Sequence, residues 1–447
     1  MPGSQLSWLD IARIGLVQTA LGAIVVLATS TMNRVMVVEL ALPAMVPGAL
    51  VTIHYALQML RPRWGYGSDV SRRRTPWIIG GMALLALGGT GASIAIALME
   101  QNLTAGITLA ILAFVLVGVG VGATGTSLLA LLASRVGTER RAPAATIVWL
   151  MMIAGFVVTT IVSGSYLDPY SPLRLVTVTA AVSIIAFMVA TLAIWGIEAR
   201  TSDRTNEDVQ KSKPDFTQAF FQVWSEPAAR KFTIFIFVSM LAYSMQDLIL
   251  EPFAGLVFGM TPGQSTKLSG LQHSGVFAGM LMVAVAAHPK FGFGSLRAWV
   301  MGGCLGSAIA LLCIVAAGTT GPATLLKAAV FALGVANGAY ASAAIGSMMG
   351  LAASGQHARE GTRMGIWGAA QAVAFGIGGF AGTAAVDIAR MFMQPLNAYS
   401  CVFLFEAVLF VLSAALSNRV LTPQAETARD KHLANHNGLS TSAARTG

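Results

Sequence analysis

The sequence predicts an all-α membrane protein with twelve spanning helices in two six-helix halves, and three observations carry that expectation. Only 11% of the 447 residues are charged, while 55% are hydrophobic. A water-soluble domain carries about 25% charged residues, and a chain this poor in charge could not cover its own surface. Apolar runs long enough to cross the ~30 Å hydrocarbon core recur along the chain, and a helix satisfies its backbone groups without water. The basic residues, finally, alternate from loop to loop in the way a multi-pass topology requires.

The apolar runs place spans near 12–32, 44–60, 77–99, 105–133, 143–164 and 173–197. A second set follows near 231–252, 268–288, 297–317, 322–352, 364–386 and 396–418. The expected organisation is a first half over 1–197, a polar cytoplasmic linker over 198–229 and a second half over 230–418. A polar tail over 419–447 has the composition of a disordered segment. The first apolar run is too long for a cleaved leader and is expected to stay in the membrane.

Counting cations sets the orientation. With the N-terminus in the cytoplasm, 23 of the 28 Lys and Arg residues fall in inside segments. Only Arg34, Arg174, Lys267, Lys327 and Arg390 fall outside. The net charge of +9 is therefore a topology signal, and nucleic acid is discounted as a partner. Both termini are expected in the cytoplasm. A faint internal repeat supports two related halves: Leu131-Leu132-Ala133-Ser134 returns as Leu351-Ala352-Ala353-Ser354, each before a loop with Glu and Arg. Cys304, Cys313 and Cys401 lie in apolar runs without metal-ligand spacing and are read as packing residues; no metal site is expected.

Glycines spaced by four, at Gly118/Gly122, Gly275/Gly279, Gly302/Gly306, Gly334/Gly338 and Gly378/Gly382, are expected to let helices approach closely. Ionisable residues near or inside spans are functional candidates. Asn33, Arg34 and Glu39 follow the first apolar run, and Asp247 and Glu251-Pro252 close the seventh. Pseudo-symmetry brings them together as an outer-mouth cluster, to be read either as a gate or polar-ligand site or as an interfacial salt bridge. Glu406 lies inside the twelfth span, as a proton-titrating group or as a hydrogen-bonded one. His54 and His273 occupy corresponding spans of the two halves. Each is a candidate axial ligand for a tetrapyrrole metal, or a helix-to-helix hydrogen bond.

The loop Arg61–Pro76 carries Gly65-x-x-x-Asp69-x-x-x-Arg73-Arg74. This spacing resembles the cytoplasmic loop signature of the major facilitator superfamily, although Val70 stands where Arg is usual and Arg72 where Gly is usual. The resemblance implies that Asp69 caps or pairs with a neighbouring helix end and that the arginines hold the cytoplasmic face closed. Three stretches together, Asn33–Gly48, Gln58–Trp77 and Gln246–Gly255, resemble the PucC/LhaA family, a branch of that superfamily in phototrophic bacteria. The branch most similar is the one labelled bacteriochlorophyll synthase chain.

That resemblance implies a major-facilitator-like fold and a role in assembling light-harvesting antenna or reaction-centre complexes. The implied partners are antenna or reaction-centre polypeptides, the lipid bilayer, and bacteriochlorophyll or its synthesis machinery. It also implies motif roles for Asn33, Arg34, Glu39, Asp69, Arg73, Arg74, Glu251 and Pro252. An ion-coupled solute transporter is the alternative, with a thin set of candidate midplane groups: Gln18, Gln58, Gln246, Gln272, Gln371 and Glu406. A membrane prenyltransferase would need Asp-rich clusters for Mg²⁺ and diphosphate, and direct ATP use would need a GxxxxGK[ST] loop; neither pattern occurs. The expectation is a non-enzymatic protein with no catalytic residues.

Overall fold

The structure is a computed structural model, and it describes residues 6–61, 73–137, 140–198, 224–286, 293–354 and 360–418. The helices of the first half are α1 (Trp8–Glu39), α2 (Met45–Gln58), α3 (Thr75–Met99), α4 (Leu103–Arg135), α5 (Arg141–Tyr166) and α6 (Pro172–Ile194). Those of the second are α7 (Pro227–Phe258), α8 (Pro262–Ala286), α9 (Leu296–Thr320), α10 (Ala323–Ser354), α11 (Glu360–Arg390) and α12 (Pro395–Asn418). Eleven of them are long and apolar enough to cross a membrane. The other, α2, has 14 residues and so rises about 21 Å at 1.5 Å per residue. Twelve helices in alternating directions return the chain to the face where it began. We call that face terminal and the opposite one distal.

Two helices outrun their expected ends. The sequence suggested a first span over 12–32, but α1 continues to Glu39 through two π-helical stretches, Leu27–Thr31 and Val35–Glu39. The seventh span, expected to close at 252, continues through Pro252 to Phe258. In both cases a charged or helix-breaking residue marked the expected end. A charge does not stop a helix when its partner lies within the protein, and proline is tolerated where a neighbour satisfies the backbone group it leaves open.

Polar residues set the other boundaries. Ser7 and Asp10 form a reciprocal capping box at the start of α1. Asn102, Ser171 and Ser295 cap α4, α6 and α9 through their side-chain oxygens. Gly259 and Gly321, both left-handed, end α7 and α9.

Each half has its own apolar core. One continuous buried cluster, including Phe232, Phe253, Tyr340, Trp367 and Phe403, is built from α7–α12 and the turn after α7. Two others belong to α1–α6, with Leu248 of α7 reaching into one of them. The halves meet along two lateral seams, α2 against α11 and α5 against α8. Centrally, α7 packs substantially on α1 only over Leu27–Glu39, the distal third. No substantial contact joins α4 to α10 among the described residues. The halves are thus closed at the distal face and part toward the terminal face.

Lipid tails are as apolar as leucine, so helices in a membrane are held by close packing rather than by exclusion from water. The expected glycine pairs divide accordingly. A Cβ on Gly279 would collide with the Val335 carbonyl, and one on Gly338 with that of Val276, so α8 and α10 touch backbone to backbone. Gly378 is similarly filled by Ser244 of α7. Gly302 faces open space instead. Gly338→Leu should therefore destabilise the detergent-solubilised protein by more than the 1–3 kcal/mol usual for overpacking. Gly302→Ala should leave the unfolding midpoint within error; thermal unfolding of both variants checks the contrast.

Candidate functional site

The distal seam begins with a backbone problem. Pro252 has no N–H, so the carbonyl of Leu248, four residues earlier in α7, loses its helical partner. Within the hydrocarbon region no water can replace it. The side-chain amide of Asn33, fully buried in α1, donates to that carbonyl at 2.7 Å. One side chain of the first half thus completes a helix of the second.

Arg34 follows, only 2% exposed, between the two π-helical stretches. Such stretches frequently accompany functional positions. Its guanidinium donates to the carbonyl of Met260 at 2.6 Å and forms an ion pair with Glu39. Gly255 makes room for it, since a Cβ there would lie 3.2 Å from the guanidinium nitrogens. Glu251, buried one turn deeper on α7, accepts a hydrogen bond from Ser30. Ser30 also lies 3.0 Å from the Ser269 hydroxyl of α8, and Thr31 3.0 Å from Thr266.

Two more carboxylates tie the distal ends. Asp168, between α5 and α6, accepts from the Thr261 hydroxyl at 2.8 Å and from the Gly263 N–H at 3.1 Å. Asp387 of α11 accepts from the N–H groups of Ala44 at 2.9 Å and Met45 at 2.7 Å, capping α2 from the other half. Above the seam lies an open pocket of about 630 Å³, lined by Arg34, Glu39, Asp168, Tyr170, Met260 and Thr261. Burial, followed by the carboxylates of Glu100 and Glu39, pushes the Tyr170 phenol up to about 12.

The expected outer-mouth cluster is therefore deeper and smaller than the sequence suggested. Asn33, Arg34 and Glu251 are buried in the seam, and only Glu39 reaches the pocket with a substantial exposure, 31%. Asp247 is not with them. It sits half-buried one turn below Glu251, and its electrostatic neighbours are Tyr55, Tyr243 and Glu406. Asp168 and Asp387 were missed because both stand in or beside loops, where a lone Asp looks like an ordinary turn or cap.

On the terminal face, Gly65 and Asp69 of the loop motif lie outside the described residues. Arg74 donates to the Ala130 carbonyl of α4 at 2.8 Å, a tie within the first half. The carboxylate that caps α3 is Glu198, which accepts from the N–H groups of Arg74 at 2.7 Å and Thr75 at 3.0 Å. Burial opposes its ionisation, but these hydrogen bonds outweigh burial and hold it below the usual carboxylate value. The sequence assigned Glu198 to the linker, with nothing to distinguish it there. Arg73 is described and exposed.

The two histidines differ. His54 is 1% exposed, its Nε2 lies 2.9 Å from the Gln58 amide nitrogen, and Gln58 in turn accepts from Arg61. His273 is half-buried on the α5–α8 seam, with its Nδ1 2.8 Å from the Ser269 carbonyl and its ring edge-on to Phe156. Glu406 is fully buried with neither carboxyl oxygen bonded. Among the described residues no three His, Cys, Asp or Glu side chains are grouped to hold a metal ion.

A family model described as PUCC protein matches residues 31–425, nearly the whole membrane region. The chain belongs to the PucC family. A Rhodobacter capsulatus protein named bacteriochlorophyll synthase 44.5 kDa chain is 53% identical to it, over 93% of this chain and 96% of the relative. Protein PucC of the same organism is 30% identical over 91% of this chain and 90% of its own length. Among solved structures, a bacterial homologue of the human lysosomal transporter Spinster, inward-facing and occupied, superposes with a TM-score of 0.64 at 16% identity. It covers 92% of this chain and 96% of the homologue. A structure from work on proton-dependent oligopeptide transporters reaches 0.67 at 15% identity, over 92% of this chain and 98% of its own. At such identities the likeness is one of fold. This PucC-family chain is a twelve-helix membrane protein of the major-facilitator type.

In this PucC-family chain the Asn33–Pro252 arrangement yields a double-mutant test. Asn33→Leu leaves the Leu248 carbonyl unpaired and should cost about 1–3 kcal/mol. Pro252→Ala restores the N–H that pairs with it, so Asn33→Leu should cost distinctly less in that background. Equal costs in both backgrounds, measured by unfolding in detergent, would contradict the assignment.

Proposed function

We propose that this protein is a non-enzymatic assembly factor for light-harvesting or reaction-centre complexes, and that it holds or delivers bacteriochlorophyll. The observation that carries the reading is family membership, with 53% identity to a relative whose name refers to bacteriochlorophyll. We take the chain to lie in the bacterial inner membrane with both termini cytoplasmic, because 23 of its 28 Lys and Arg residues fall in the sequence segments assigned to that side. The terminal face, toward which the halves part, is then the cytoplasmic one. The distal seam, with Asn33, Arg34, Glu39 and Glu251, acts as the closed gate of the cleft.

A bound bacteriochlorophyll would supply a Mg²⁺ able to take a ligand from the protein. Histidine ligates a metal through one ring nitrogen when the other donates to a carbonyl or carboxylate, which fixes the tautomer. His273 fits that requirement. Its Nδ1 is directed at the Ser269 carbonyl, and no hydrogen bond engages its Nε2 among the described residues. His54 fits less well: its Nε2 is engaged by Gln58, which is no carbonyl or carboxylate acceptor, and its unpaired Nδ1 is buried with the ring in packing that leaves 1% of the residue exposed. We assign the ligand role to His273 and a packing role to His54. The antenna or reaction-centre polypeptides, being membrane helices themselves, would meet the chain at its lipid-facing surface.

A solute transporter remains the second reading, favoured by the fold and by a cleft closed at one face. Gentle purification of a tagged copy from phototrophic membranes separates the two. The assembly reading expects near-infrared pigment bands and co-purifying antenna or reaction-centre polypeptides. His273→Ala should lower pigment occupancy several-fold, and His54→Ala should leave it near wild type while lowering thermal stability. A colourless, partner-free protein from pigment-producing cells would overturn the reading, and solute-dependent uptake into vesicles would establish the other.

A further inference from the structure

Asp247 of α7 stands half-buried on the terminal side of the distal seam, next to Leu248, whose carbonyl Asn33 closes. An acidic group at such a depth faces the bundle interior or a cavity and marks a ligand path. No cation among the described residues stands within electrostatic reach of it. Arg34 pairs with Glu39, and Arg61 donates to Gln58. Its other charged neighbour, the buried Glu406, is acidic too.

Three aromatic rings stand beside this carboxylate. Tyr243, four residues earlier on α7, shares its helix face one turn nearer the terminal side. Phe375 of α11 lies between Tyr243 and Tyr55 of α2, with ring centroids 5.8 Å from the first and 5.3 Å from the second. Both tyrosines are within electrostatic reach of Asp247. All three aromatic residues are half-buried, so part of each stays uncovered. Phe375 is held from both sides. Ser244 of α7 donates to the Ala374 carbonyl at 3.1 Å, and Thr52 of α2 to the Gly376 carbonyl at 3.0 Å. The aromatic wall thus runs from one half of the protein to the other, and helix-to-helix hydrogen bonds fix its position.

An ionised carboxylate at this depth requires a partner. A divalent metal ion takes several oxygen ligands, and among the described residues no three His, Cys, Asp or Glu side chains are grouped to supply them. Aromatic faces instead attract an organic cation that comes within about 6 Å of the ring centroid. We infer that Asp247, Tyr55, Tyr243 and Phe375 form a binding site for a small organic cation, a primary or quaternary ammonium. Its charge faces the Asp247 carboxylate and its carbon groups lie against the three rings. An anion would meet two acidic side chains there and no free cation. Because α2 belongs to one half and α7 and α11 to the other, the bound cation bridges the halves on the terminal side of the seam. The inference is independent of the assembly reading.

Calorimetric titration of the purified full chain in lipid nanodiscs at neutral pH tests it. The probes are choline, n-butylammonium, and the uncharged alcohol in which carbon replaces the choline nitrogen. At least one of the cations should bind, and the alcohol should not compete with it. Asp247→Asn should weaken cation binding more than about tenfold. Phe375→Leu, which keeps apolar bulk but loses the ring, should weaken it several-fold. Three results would overturn the site: neither cation binding up to millimolar concentration, the alcohol binding as well as choline, or affinity indifferent to either substitution. Should Asp247→Asn fail to fold, the contrast between choline and the alcohol in wild type, together with Phe375→Leu, still decides the outcome.

Discussion

A single carbonyl without a helical partner organises the seam between the halves. Proline 252 opens the Leu248 carbonyl in a medium with no water to close it, and Asn33 closes it from the opposite half. In a soluble protein the cost of such a gap would be shared with solvent. Here the hydrogen bond fixes the depth at which α1 meets α7, and it forces α1 to stay helical beyond the point where its apolar run ends. The neighbouring positions then fall into place around it: Ser30 reaches Glu251, Arg34 reaches Met260, and Gly255 leaves the space the guanidinium needs.

The rest of the architecture follows from lipid as the solvent. Helix pairs are held by shape, most plainly where Gly275 and Gly279 lie against Gly334 and Gly338. Three half-buried carboxylates act at helix ends. Asp387 caps α2, Glu198 caps α3, and Asp168 holds the turn before α8. Carboxylates at helix N-termini are favourable for the same electrostatic reason in each place. The two lateral seams hold the halves together, while the central helices part toward the terminal face.

The fold was legible because its signals are local. The number and length of the apolar runs can be read without knowing which helix touches which. Motif residues were legible as a set: Asn33, Arg34 and the Glu251-Pro252 pair were singled out, and they do converge. Their depth was not legible, because Arg34 and Glu39 look like the polar end of a span when their partners are unknown. Asp247 was grouped with Glu251 on sequence proximity, yet a residue four positions away can sit one turn deeper and turn toward other helices. Asp168, Asp387 and Glu198 act through backbone N–H groups of distant segments, and the sequence of those segments shows nothing of it. The different standing of His54 and His273 depends on single hydrogen bonds to Gln58 and Ser269, which spacing alone does not resolve.

The central claim is that the two halves are locked at the distal face and separated at the terminal face, with the Asn33 and Arg34 contacts as the lock. Spin-label distance measurements in bilayers address it directly, with one label pair across the distal ends of α1 and α7 and another across their terminal ends. The account predicts a short, narrow distal distribution and a longer, broader terminal one, with Asn33→Leu broadening the distal pair. Equal widths at both faces, or a distal pair indifferent to Asn33→Leu, would contradict it.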